Sequence, residues 1–145
     1  MKPNFAVIDL VPHGAPMSLL DSIESHSATG LLAEVTIRSD SLFCADAGVP
    51  AWVGIEYMGQ AVAAWAGVQA RSSNRPIKIG FLVSSRRYES PLRYFPVGEK
   101  LIISVEQLTD NETGLRVFDC KITVKDMEIQ ANLNVYMPEN LEDFL

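Results

Sequence analysis

Histidine is scarce in this chain of 145 residues, which holds only His13 and His26, and cysteine is as rare, with Cys44 and Cys120. Neither pair has metal-ligand spacing, and the four residues stand at scattered positions 13, 26, 44 and 120, which argues against a structural zinc site. Two isolated cysteines make no disulfide framework either, and both read as free thiols. Positive charge is short: 12 Lys and Arg against 18 Asp and Glu leave a net charge of −6 and a pI near 4.8. A chain of that sign repels the phosphates that supply most nucleic-acid affinity, so a nucleic-acid partner is not expected. The most apolar stretch, between Asp46 and Arg71, is interrupted by Glu56, Gln60 and Gln69, whereas a membrane span needs roughly 18 or more consecutive apolar residues. The first residues, MKPNFAVIDLVP, hold Asp9 and two prolines but no apolar run with a small-residue cleavage site, and so predict a cytoplasmic protein without a signal peptide. No repeat, low-complexity tract or long linker divides the sequence, which is expected to form one domain over 1–145.

Apolar residues make up 48% of the chain, enough for one ordinary core. Leu31, Ala33, Val35 and Ile37 alternate with Leu32, Glu34, Thr36 and Arg38, the period of a half-buried strand. Ile77–Val83 is a short apolar run. Leu101, Ile103 and Val105, then Phe118, Cys120, Ile122 and Val124, then Ile129, Ala131, Leu133 and Val135 repeat the alternation, with polar connectors at 110–114 and 125–128. The C-terminal third therefore predicts a meander of three antiparallel strands. Pro50–Arg71 differs, because between Asp46 and Arg71 the one charge is Glu56 and apolar groups lie all round. That pattern predicts a buried helix opened by Pro50, whose missing N–H costs nothing there. The fold class is α+β: one long helix enclosed by a five- or six-stranded antiparallel sheet, with a short acidic tail at 138–145.

Pro50, Glu56 six positions later and Gln60 four beyond it, preceded by Pro12-His13 with Pro16, Leu19 and Asp21, and followed by Val97-Gly98-Glu99-Lys100-Leu101, form a set of spaced motifs covering nearly the whole chain. In that order they resemble the hot-dog fold 3-hydroxyacyl-(acyl carrier protein) dehydratases. The family's histidine loop before the helix has no counterpart, since 39–49 (SDSLFCADAGV) holds no histidine. In this the chain is most similar to the divergent branch that includes the dehydratases of aryl polyene biosynthesis, which pair a Pro-His histidine with the helix glutamate. The resemblance implies a hot-dog fold and dehydration of 3-hydroxyacyl thioesters to trans-2-enoyl thioesters. It implies no cofactor, the substrate riding on the phosphopantetheine of an acyl carrier protein.

The reaction needs a base for a proton beside the thioester, an acid for the departing hydroxyl, and donors for the oxyanion. An imidazole titrates near neutrality and can take the proton, so His13 suits the first role. Glu56, the one carboxyl in an otherwise apolar helix, suits the second. The backbone N–H groups of Ala51 and Trp52, with Ala51 foremost, are expected at the positive end of the helix to hold the thioester oxygen. Gln60 is expected to orient Glu56 from one turn away, with Tyr57 beside them lining the substrate site. Trp52, Tyr57 and Trp65 read as core or tunnel wall, and His26, in the run Glu24-Ser25-His26-Ser27, as solvated. Asp46 reads as a helix cap, and Cys44 as a small buried thiol.

Six of the 12 basic residues fall between Arg71 and Arg93 with Glu89 as the one acid, giving +5 there against −11 elsewhere. Arg71, Arg75, Arg86 and Arg87 are accordingly expected to dock an acidic acyl carrier protein. An exposed sheet edge predicts a homodimer or a heterodimer with a related hot-dog subunit. Two further readings stand beside the dehydratase: a hot-dog acyl thioesterase, and a non-catalytic acyl-binding subunit of a heterodimer.

Overall fold

The computed structural model describes residues 19–72, 81–86, 88–110 and 115–136. Among the described residues, eight strands and one long helix follow one another as β1 (Ser22–His26), β2 (Gly30–Thr36), β3 (Val49–Pro50), a 3-10 turn (Ala51–Val53), α1 (Gly54–Ser72), β4 (Phe81–Arg86), β5 (Tyr94–Phe95), β6 (Lys100–Asp110), β7 (Leu115–Val124) and β8 (Met127–Tyr136). Six of the strands form one antiparallel sheet in the order β1-β2-β6-β7-β8-β4, and β3 pairs with β5 in a separate two-stranded ladder.

The predicted meander is present as β6, β7 and β8, in a register that sets Ile103 opposite Ile122 and Ile122 opposite Ile129. Because successive side chains leave a strand on opposite faces, Leu101, Ile103 and Val105 point inward with Phe118, Cys120, Ile122 and Val124, and with Ile129, Ala131, Leu133 and Val135. This wall covers α1 through Tyr57, Met58, Ala61, Val62, Trp65 and Val68, all buried. Trp65 meets Phe118 edge-on, ring centres 5.5 Å apart, a preferred geometry for two aromatic rings.

Helix α1 starts later than the sequence predicts. Pro50 lies in β3 with φ −55° and ψ 138°, and the chain makes a 3-10 turn before the helix proper. Its extended backbone lets it pair with Tyr94, and its ring then needs no donor partner. No side chain caps the turn, and Asp46 is exposed well upstream, so it does not act as the expected cap. Gly48 must be glycine: its φ is +121°, and a Cβ there would run into the backbone of Phe95. His26, expected to be solvated, lies in β1 opposite Leu31 and is half-buried. The indole of Trp65 and the amide of Gln69 both donate to the Ser27 carbonyl, at 3.3 and 2.8 Å, and so fasten the β1–β2 turn to the helix.

Candidate active site

The start of α1 is built from both ends of the chain's middle. Ala51 donates its N–H to the carbonyl of Arg93 at 2.9 Å. Its own carbonyl accepts the Tyr88 hydroxyl and, closing the 3-10 turn, the Gly54 N–H. The segment 88–95 is thereby strapped across the helix entrance, continued by the pairing of Val49 with Phe95 and Pro50 with Tyr94. A Cβ on Gly54 would meet the Tyr88 hydroxyl and press on Ile122, so a larger residue at this crossing would push the phenol aside.

Glu56 is the acidic residue of the first turn of α1 and is half-buried. Tyr57, only 2% exposed, packs its ring 6.1 Å from that of Phe95, and burial, with Asp21 nearby, drives its phenol well above the ordinary tyrosine range. It lines a pocket of about 280 Å³ together with Leu19, Asp21, Val35, Arg38 and Leu42. In the lining of that pocket the Arg38 guanidinium grips both oxygens of Asp21, at 3.1 and 3.2 Å, and Asp21 also accepts the Thr36 N–H at 2.7 Å.

Gln60 is wholly buried, and its Oε1 accepts the Leu19 N–H at 2.7 Å. This bond ties Leu19 to the helix across 41 positions of sequence. Trp52 is 62% exposed, resting against Phe43 with ring centres 5.5 Å apart. With Leu42 and Tyr94 also exposed, it makes an apolar rim round the helix entrance rather than an interior wall. Trp65, in contrast, is core.

One predicted role needs correction. The Ala51 N–H is not free to meet an oxyanion, because Arg93 already takes it. The sequence offered no sign of this, since the acceptor lies 42 positions away and is a backbone atom. The next amide, that of Trp52, belongs to the peptide unit whose carbonyl Tyr88 holds. Tyr88 was not singled out from sequence; Gly54 in the first turn of an otherwise bulky helix start was the available signal that something packs closely there. His13, Arg75 and Arg87 lie outside the described residues. Arg71 falls in the last turn of α1 and Arg86 at the end of β4, their side chains likewise outside the described set. Cys44 is half-buried with Sγ 3.4 Å from the Ala45 carbonyl, and Cys120 is buried; both are free thiols. Among the described residues no helix is long and apolar enough to cross a membrane.

The chain matches a family model described as ApeP-like, ApeP dehydratase, over residues 5–145. Among solved structures it is similar to a chain of the dehydratase heterocomplex ApeI:P from Xenorhabdus doucetiae, with 27% identity, a TM-score of 0.88, and coverage of 98% of this chain and 97% of that one. It also resembles the E. coli PaaI protein of the phenylacetic acid degradation operon (10% identity, TM-score 0.61, 79% and 80% of the two chains). A hypothetical thioesterase from Streptococcus pneumoniae TIGR4, solved with coenzyme A, is similar at 14% identity and a TM-score of 0.55, over 80% and 86%. These last two likenesses concern the fold alone. No protein of curated function matches the chain. The motifs at the helix, the hot-dog architecture built round them and the family match over almost the full length together make this chain a member of the ApeP-like dehydratase family, a hydro-lyase with the hot-dog fold.

Proposed function

We propose that the protein removes water from 3-hydroxyacyl thioesters carried on an acyl carrier protein, in aryl polyene or fatty-acid-like biosynthesis, in the cytoplasm. The observation that carries this reading is the position of Glu56, the acid in the first turn of a helix whose family match spans residues 5–145. His13 takes a proton from the carbon next to the thioester, and electron density moves onto the thioester oxygen. Glu56 gives a proton to the 3-hydroxyl, the C3–O bond breaks, and water leaves behind a trans-2-enoyl thioester. The oxyanion is met by the Trp52 N–H in place of the Ala51 N–H, at the positive end of the helix. Tyr57 and Gln60 shape the acyl site beside these groups.

The protein acts as a dimer with a second copy or a related hot-dog subunit. Support comes from the ApeI:P neighbour being a heterocomplex, and from the exposed Leu42, Phe43, Trp52 and Tyr94 beside the helix entrance. The acidic carrier docks on Arg71, Arg75, Arg86 and Arg87. Arg86→Glu combined with Arg87→Glu should raise KM for carrier-bound substrate while leaving a short pantetheine-linked mimic unaffected, and the difference should shrink as salt rises.

The test is incubation of the chain, alone and with its hot-dog partner, with a 3-hydroxyacyl carrier protein, followed by mass spectrometry of the acyl group. Loss of one water with the acyl group retained supports the reading. Release of a free acid would instead support a thioesterase. Dehydration unchanged by His13→Ala and Glu56→Gln in the assembled complex would make this chain the non-catalytic subunit.

A further inference from the structure

Tyr88 stands outside every role given so far, yet its hydroxyl donates to the Ala51 carbonyl at the helix entrance. A peptide unit is planar, so the carbonyl of Ala51 and the N–H of Trp52 are one rigid group pointing in opposite directions. Fixing the carbonyl fixes the amide. The same carbonyl also closes the 3-10 turn by accepting the Gly54 N–H, and the N–H of Ala51 is held by Arg93. The peptide on either side of Ala51 is therefore clamped by the 88–93 segment, and the side-chain part of the clamp is one phenol. Resting on the dehydratase reading, we infer that Tyr88 is a positioning residue for the reaction: by donating to the Ala51 carbonyl it aims the Trp52 N–H at the thioester oxygen and polarises it.

The chemistry supports both halves of this role. A donor on a carbonyl draws charge through the amide and makes the N–H at its other end a stronger donor, the cooperativity of hydrogen-bond chains. Burial pushes the Tyr88 phenol up to about 12, so it remains a donor throughout the working range of a histidine base. Its placement is specified by the sequence as well: Gly54 leaves room for the hydroxyl where any side chain would displace it, and Ile122 backs the same spot.

Tyr88→Phe keeps the ring and removes only the donor. In the intact protein with whatever subunit completes its activity, kcat should fall about three- to tenfold, the scale of one net hydrogen bond, with KM within about twofold. A second readout is the carbonyl stretch of a carbon-13-labelled acyl thioester lacking the 3-hydroxyl, bound to the protein. The parent should lower this frequency relative to water, and Tyr88→Phe should return it part of the way. Should Tyr88→Phe fail to fold, 3-fluorotyrosine at position 88 gives the opposite perturbation, a stronger donor that lowers the stretch further. Unchanged kcat and stretch, or a rise in KM alone, overturns the inference. A parent protein that binds the labelled thioester but never removes water from a 3-hydroxyacyl group defeats the dehydratase reading, while the stretch comparison still judges Tyr88.

Discussion

Leu19 donates its backbone N–H to Oε1 of Gln60 at 2.7 Å, across 41 positions of sequence and out of reach of water. Leu19 follows His13 by six residues and Gln60 follows Glu56 by four. The two residues proposed as base and acid therefore belong to the two segments that this bond joins.

Gln60→Leu removes the acceptor and leaves a buried N–H unsatisfied, a loss of about 1–3 kcal/mol. Urea denaturation should show a lower midpoint at unchanged slope. Turnover measured well below that midpoint should fall as well, since the segment bearing His13 loses its tie to the helix; a midpoint equal to that of the parent would show that the bond carries no weight.

Glu56→Gln preserves shape but has no proton to give, and a general acid is typically worth about 10²–10⁴-fold. Dehydration should drop on that scale while circular dichroism and melting stay close to the parent's. A variant retaining more than half of the parent's turnover removes Glu56 from the mechanism.

Ala51→Pro now tests the strap rather than the oxyanion. Pro50 is already extended, as a residue before proline must be, and proline is tolerated in a first helical turn. The change deletes the N–H held by the Arg93 carbonyl, so melting should fall by an amount corresponding to about 1 kcal/mol, the net value of one hydrogen bond. Full stability combined with lost turnover would return the oxyanion role to the Ala51 amide.

Burial raises Cys120 from 9.0 to about 12 and Tyr88 from 10.0 to about 12. Both groups are neutral when protonated, so the native state holds these protons after the unfolded chain has released them. Stability should accordingly be insensitive to these groups below pH 9 and decline between about pH 9 and 12, where the unfolded state binds fewer protons. Urea midpoints across that range measure the slope. At pH 8, iodoacetamide should label Cys44 in the folded protein and spare Cys120; equal labelling of both would contradict the buried placement of the second thiol.

The long strands and the helix were legible because each repeats one physical rule over many residues. Leu101 to Val105 and Ile129 to Val135 alternate for a sheet with one buried face, and 57–70 is mostly apolar because most of its residues are buried. Strands β3 and β5 are two residues each and have no period to read. β1 is mostly polar and owes its existence to pairing with β2. The same division holds at the site. Glu56 stood out because a lone carboxyl in an apolar helix is costly. The commitment of the Ala51 amide depends on a backbone carbonyl 42 positions away, and no local pattern encodes such a contact. Tyr88 has no local signature, because one tyrosine in a basic loop resembles any other and only the fold sets Gly54 beneath its hydroxyl.

The most direct measurement uses a 3-hydroxyacyl carrier protein carrying two deuterium atoms at C2, incubated with the assembled protein and weighed intact. Proton abstraction at C2 with departure of the hydroxyl should leave an enoyl group on the carrier that retains one deuterium, and Glu56→Gln should leave the starting mass in place. A free acid bearing both deuterium atoms, or an acyl group untouched by the active complex, would contradict dehydration at this helix.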